Sequence, residues 1–198
     1  MKKNSRSYSG KNKNSQLINE DEGTQTGIQT MLRLTSMNHI RFSEMADKKA
    51  NILISVNAII ISVILTVILP RLQQANYLLL PLFLFLITSL STIIVSIISI
   101  RPIMNKGLFK LEDIENKKIN LLFFGNFHKM PLQKYDLAMR VMMRDPDYLY
   151  SSLVKDIYFL GAVVGKKFKL MRMAYNIFMS GLAVSITAFC ITLLLTGK

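Results

Sequence analysis

Hydrophobic positions in this chain are gathered into blocks rather than spread evenly. Ala50 to Leu69 is almost unbroken Ile, Leu and Val, closed by Pro70 and Arg71. Leu78 to Ile100 follows, closed by Arg101 and Pro102, and Ile177 to Leu195 is the last block. Each is long enough to cross about 30 Å of hydrocarbon as a helix. Pro81 falls in the opening turn of the second, where a missing N–H matters least. Asn51 and Asn57 interrupt the first. Ile52 to Leu69 nevertheless holds thirteen Leu, Ile and Val residues, each favouring insertion by roughly 0.3–0.6 kcal/mol near the centre, which outweighs one amide and a few hydroxyls. The pattern predicts three transmembrane helices.

The polar stretches divide in the same way. Residues 1–27 are rich in Ser, Asn, Gly and Lys; they bury too little to offset the entropy of ordering and read as a disordered tail. Neither Gly nor Pro occurs from Ile28 to Leu69, so a cytoplasmic stalk helix over 28–49, about 33 Å long, is expected to run into the first span, 50–69. Asp145 and Pro146 form an N-cap followed by Pro at the first helical position. Beyond them Leu153, Ile157, Leu160, Val164, Phe168 and Met171 form an amphipathic stripe, and that helix continues into the span 177–195. The segment 101–173 also holds a Pro131-started helix, and Ile119 to Phe124 is a run too short to assign between a strand and a buried helix end. The predicted fold class is an all-α membrane protein. It has three transmembrane helices, long cytoplasmic helical extensions and a small cytoplasmic helical region with room for one short strand.

Charge sets the orientation. The chain of 198 residues is 51% hydrophobic, with mean hydropathy +0.31, yet carries a net charge of +13. Nine Lys and Arg precede residue 50, one lies in the loop 70–77, fourteen lie in 101–173 and one is at the C-terminus. The positive-inside rule then places the N-terminus and 101–173 in the cytoplasm of a bacterial cell, with the 70–77 loop and C-terminus outside the inner membrane. The first 40 residues hold no apolar core, so a cleavable signal peptide is not expected. Cys190 is the single cysteine, which excludes an intramolecular disulfide, and with two histidines no metal cluster has a sensible spacing.

Each span bears small or hydroxylic residues at helical spacing. They are Asn51, Ser55, Ala58, Ser62 and Thr66 in the first, Thr88, Thr92, Ser96 and Ser99 in the second, and Gly181, Ser185, Ala188 and Thr192 in the third. Such faces let backbones approach closely in lipid. Asn57, Ser55, Ser62, Thr92, Ser96, Gly181 and Ser185 are therefore the expected intramembrane packing residues, within one chain or between copies, and a homo-oligomer is expected. An amide such as Asn57 faces another helix rather than lipid.

No enzyme is legible. "GAVVGKK", Gly161 to Lys167, has three residues between its glycines where a phosphate loop needs four, and Lys167 stands where Ser or Thr should hold magnesium. His39 and His128 lack a nucleophile partner at a readable spacing. Glu112, Asp113 and Glu115 read as a solvated helix face. What remains is a basic cytoplasmic face with aromatic residues, suited to a phosphate and a base.

Three stretches, "NHIRFSEMADKKANILISVNAIIIS", "NLLFFGNFHKM" and "YLYSSLVKDIYFLGAVVGKKFKLMRMAYNIFMSGL", resemble the transmembrane effector family of Pycsar anti-phage systems. The Ala-Asp-x-Lys-Ala-Asn run entering the first span is the most specific part, and the resemblance covers about residues 28–195. It implies an inner-membrane effector that binds a cyclic pyrimidine nucleotide, cCMP or cUMP, made by an infection-triggered cyclase. The effector then impairs the membrane, so that the cell dies before phage matures. Some relatives carry a phosphohydrolase domain ahead of this region; no such activity is carried over. The implied partners are membrane lipids, the cyclic mononucleotide and, functionally, a pyrimidine nucleotide cyclase, but not nucleic acid; no other cofactor is implied. On that reading the expected ligand residues are Arg41, Asp47, Lys48, Asn51, Phe124, Asn126, Asp156 and Lys167. Arg41 or Lys167 would meet the phosphate, and Asn126 or Asp156 the base edge. A constitutive small channel and a membrane anchor for a partner enzyme are the alternatives.

Overall fold

A computed structural model describes residues 6–68, 70, 76–102 and 120–196. Helix α1, Arg6–Val67, has 62 residues and is about 93 Å long at 1.5 Å per residue. The helix begins at Arg6, within the polar segment 1–27. No proline interrupts it, and extending an existing helix adds one hydrogen bond per residue without a new nucleus. Interior glycines at 10, 23 and 27, costing about 1 kcal/mol each, do not end it. After a 3-10 turn at Asn76–Leu78, α2 spans Leu79–Ile100. Arg101 leaves the helix with φ −61° and ψ 129°, because the ring of Pro102 excludes the helical conformation from the residue before it.

Beyond α2, the described chain resumes at Asn120. Its side-chain Oδ1 accepts the Leu122 N–H at 3.0 Å, an Asx turn that bends the chain where a strand is one option. Residues 121–123 are accordingly turn and bend, and no strand forms among the described residues. A single turn α3, Phe124–Phe127, leads to α4, Leu132–Met143. Leu121 and Ala138 form a small core with Met130, Tyr135 and Met139, and the Phe127 and Tyr135 rings lie 4.6 Å apart. Glu112, Asp113, Glu115 and Ile119 lie outside the described residues.

Helix α5, Pro146–Thr196, has 51 residues. Asp145 Oδ1 accepts the Tyr148 N–H at 3.1 Å, the cap that the Asp-Pro pair predicts. Parts of α1, α2 and α5 are long and apolar enough to cross a membrane, making three candidate spans among the described residues. These three helices pack on one another.

Their contact faces follow heptads. On α1 the inward residues are Leu32, Ser36, His39, Ser43, Ala46, Ala50, Leu53 and Asn57, alternating by four and three. On α5 the run Leu153, Ile157, Leu160, Val164, Lys167, Met171, Ala174, Phe178, Gly181 and Ser185 keeps the same rhythm. On α2, Ser89, Thr92, Ser96 and Ser99 are buried. This is the spacing of a left-handed helical bundle, and on α1 and α5 it passes without a break from the polar part of each helix into its apolar run. The outward faces carry Ile52, Ile59, Val63, Phe83, Leu90 and Ile97, suited to lipid.

Ser55 and Ser62 are exposed, as are Asn51, Ala58 and Thr66, so the first span's small-residue stripe does not pack within the chain. Inward packing on α1 goes through Leu53 and Asn57, and Ser55 lies two residues, about 200°, from either. Asn57, Thr92, Ser96 and Ser185 are buried as expected, and Gly181 sits against Thr88 so closely that a Cβ there would overlap the threonine side chain.

Candidate functional site

A groove of about 290 Å³ opens between the more polar, N-terminal parts of α1 and α5. Its walls are Leu32 and Met37 from α1 and Leu153 and Ile157 from α5, and its polar groups are Gln29, Arg33, Ser36 and Asp156. The heptads explain the opening: where the seam begins, at Leu32 and Leu153, small Ser36 leaves room that a larger residue would fill. Arg33 is exposed and makes no ion pair among the described residues. Asp156 lines the groove from the other helix, half-buried, one oxygen accepting from Asn120 Nδ2 at 3.3 Å. Burial pushes the Asp156 carboxyl above its ordinary range, and the Asn120 hydrogen bond works in the opposite direction. Asn120 cannot flip its amide without losing the Leu122 N–H, so its NH₂ stays aimed at Asp156. Asn126 in turn donates from Nδ2 to the Asn120 carbonyl at 2.8 Å. The loop thereby holds an acceptor that lines, together with a guanidinium, a groove near the lower end of ligand-pocket sizes, roughly 300 Å³.

Along the seam toward the membrane, α5 approaches α1 at Gly161, where a Cβ would stand 3.4 Å from the His39 ring. One further turn or two brings Lys167. Its ammonium donates to Asp47 Oδ1 at 2.8 Å, Asp47 Oδ2 at 2.7 Å and Ser43 Oγ at 2.9 Å. Its backbone carbonyl accepts the Ser99 hydroxyl at 3.1 Å. One residue thus clasps all three membrane helices just before α1 enters its apolar run. The Lys167 side chain is only 13% exposed and that of Asp47 is 35% exposed, so the pair is shielded from salt more than a surface pair is.

The model of the Pycsar effector protein domain matches residues 30–195 of the chain. The chain belongs to the Pycsar effector family. It is therefore an anti-phage effector linked to a cyclic-nucleotide system, and its three apolar helices make it a membrane protein. Comparison with curated proteins and with solved structures returns no match.

In this Pycsar effector the sequence-selected residues fall into three places. Asp47 and Lys167 come together, with each other. Asn126 and Asp156 are joined through Asn120, next to the groove. Arg41, Lys48 and Asn51 lie exposed on α1, apart from both groups, and the Phe124 side chain lies outside the described residues. Sequence reasoning passed over Arg33, Ser36 and Asn120. Arg33 had a signal, since it stands one residue from Leu32 on a helix whose inward heptad starts there. Asn120 had none, because its role depends on a contact 36 residues away.

Proposed function

We propose that this effector binds a cyclic pyrimidine nucleotide, cCMP or cUMP, in the groove between α1 and α5 and converts binding into loss of membrane integrity. The observation that carries the reading is the Arg33 guanidinium, without an ion-pair partner among the described residues, lining together with Asp156 a cleft between two helices that continue into the membrane. Arg33 meets the cyclic phosphate, since charge-assisted hydrogen bonds are the strong ones. Asp156 accepts from a base or ribose donor. The protein performs no chemistry on the nucleotide; ligand binding is the whole input. Driving a switch from 1:99 to 99:1 takes roughly 5.5 kcal/mol of differential affinity, which several copies acting together supply more easily than one. We infer that the exposed first-span stripe, Asn51, Ser55, Ala58, Ser62 and Thr66, is where copies meet.

Calorimetric titration of the detergent-purified effector with cCMP, cUMP, cAMP and cGMP tests the binding half. Selective binding of a pyrimidine nucleotide is expected, weakened about tenfold or more in Arg33→Ala, given roughly 1.5–3 kcal/mol for a hydrogen bond to a charged group. Dye release from liposomes tests the other half and is expected only with the nucleotide. Constitutive release would point to a channel, and no release with intact binding would point to a membrane anchor.

A further inference from the structure

The membrane bundle is polar inside. Asn57 is fully buried, its Nδ2 donating to the Leu53 carbonyl at 2.8 Å and its Oδ1 without a partner. The Ser89, Ser96 and Ser185 hydroxyls are buried and, like that oxygen, lack partners among the described residues. Neighbouring hydroxyls behave otherwise: Thr88, Thr92 and Thr192 each donate to the carbonyl four residues back, at 2.9, 2.8 and 2.7 Å. A polar group left unpaired in the hydrocarbon zone costs several kcal/mol. Polar groups that serve to glue helices together bond across the interface, and these do not.

They also line up along the bundle. Lys167 ties Asp47 and Ser99 at one level. Ten residues inward from Asp47 along α1 is Asn57, and ten inward from Ser99 along α2 is Ser89. Both therefore sit about 15 Å deep, midway through the bilayer core. Ser96 lies on the Lys167 side of that level. Ser185, farther out on α5, borders a cleft of about 180 Å³ that also touches Ile64, Pro81 and Phe85. Acceptors and hydroxyls from all three helices thus form one column from just inside the Lys167 clasp to the outer cleft.

We propose that this column, Ser96, Asn57, Ser89 and Ser185, is the lining of a path for water, ions and small dye-sized solutes, shut here and hydrated when the helices part. The proposal rests on the membrane-impairing function and names the place where it happens. Water supplies the partners these groups lack, so their cost in the shut bundle becomes a contribution to opening. The clasp stands at the cytoplasmic mouth of the same column.

The test uses the full chain in liposomes with cCMP and cUMP. Asn57→Leu is expected to keep nucleotide affinity and fold but to lose nucleotide-triggered dye release. In a Cys190→Ser background, Ser89→Cys is expected to react with a charged methanethiosulfonate only when the nucleotide is present, while lipid-facing Ile94→Cys stays unreactive in both states. If the wild type releases dye but Ser89→Cys never reacts and Asn57→Leu releases dye like the wild type, the column is packing alone and the proposal falls. If the wild type itself releases no dye with either nucleotide, the membrane-impairing function fails and takes the proposal with it.

Discussion

Lys167 ties all three membrane helices together through its ammonium and its backbone carbonyl. Exposed ion pairs contribute about 0–1 kcal/mol, and breaking a fully buried one costs about 3–5 kcal/mol. With 13% and 35% of the side chains exposed, the Lys167–Asp47 pair lies between. Lys167→Met is expected to destabilise the bundle by about 2 kcal/mol, measured by thermal unfolding in detergent. Asp47→Leu added to it should recover part of that loss, because it removes the uncompensated carboxylate. Asp156 makes a pH prediction. Its carboxyl is raised by burial, so the folded state holds the proton more tightly than the unfolded chain. The destabilisation it causes is absent below the ordinary carboxylate range and grows as pH rises through the raised value. Asp156→Asn should flatten that part of the stability–pH profile, while leaving the acid side unchanged.

At the scale of elements, two glycines on α5 make opposite predictions. Gly181 faces Thr88 with no room for a Cβ, so Gly181→Val is expected to force α2 and α5 apart at a cost of about 1–3 kcal/mol. Thr88→Ala in the same chain should recover only part of that loss, because the Cβ at 88 would itself stand 2.7 Å from the new one. Gly161 leaves 3.4 Å between a new Cβ and His39, an ordinary contact. Gly161→Ala is therefore expected to be tolerated and to gain up to about 1 kcal/mol from helix propensity. The unbroken heptads of α1 and α5 give these elements a mechanical meaning. The seam that begins at Leu32 and Leu153, beside the groove, runs without a break to Asn57 on α1 and past Lys167 on α5.

For the whole molecule, the asymmetry of Lys and Arg predicts which side faces the cytoplasm. In a Cys190→Ser background, Lys134→Cys on α4 should react with an impermeant maleimide in inverted membrane vesicles and stay unlabelled in intact spheroplasts. Labelling in spheroplasts instead would reverse the orientation and put the groove out of reach of a cytoplasmic nucleotide.

The three spans, the Asp145–Pro146 helix start and the break at Arg101–Pro102 were all legible in the sequence, because each depends on local hydropathy or local backbone sterics. The family was legible too, through the run from Ala46 to Asn51. Which face of α1 packs inward was not. The Ser55 stripe and the Leu53–Asn57 seam have the same helical spacing, and only the positions of α2 and α5 choose between them. Nor could sequence pair Lys167 with Asp47, 120 residues apart, or set Arg33 and Asp156 on one groove, since a charge beside a membrane reads the same whether it faces water or a partner. Hydropathy along one chain determines what enters the bilayer. What each buried polar group meets there is decided by the helices around it.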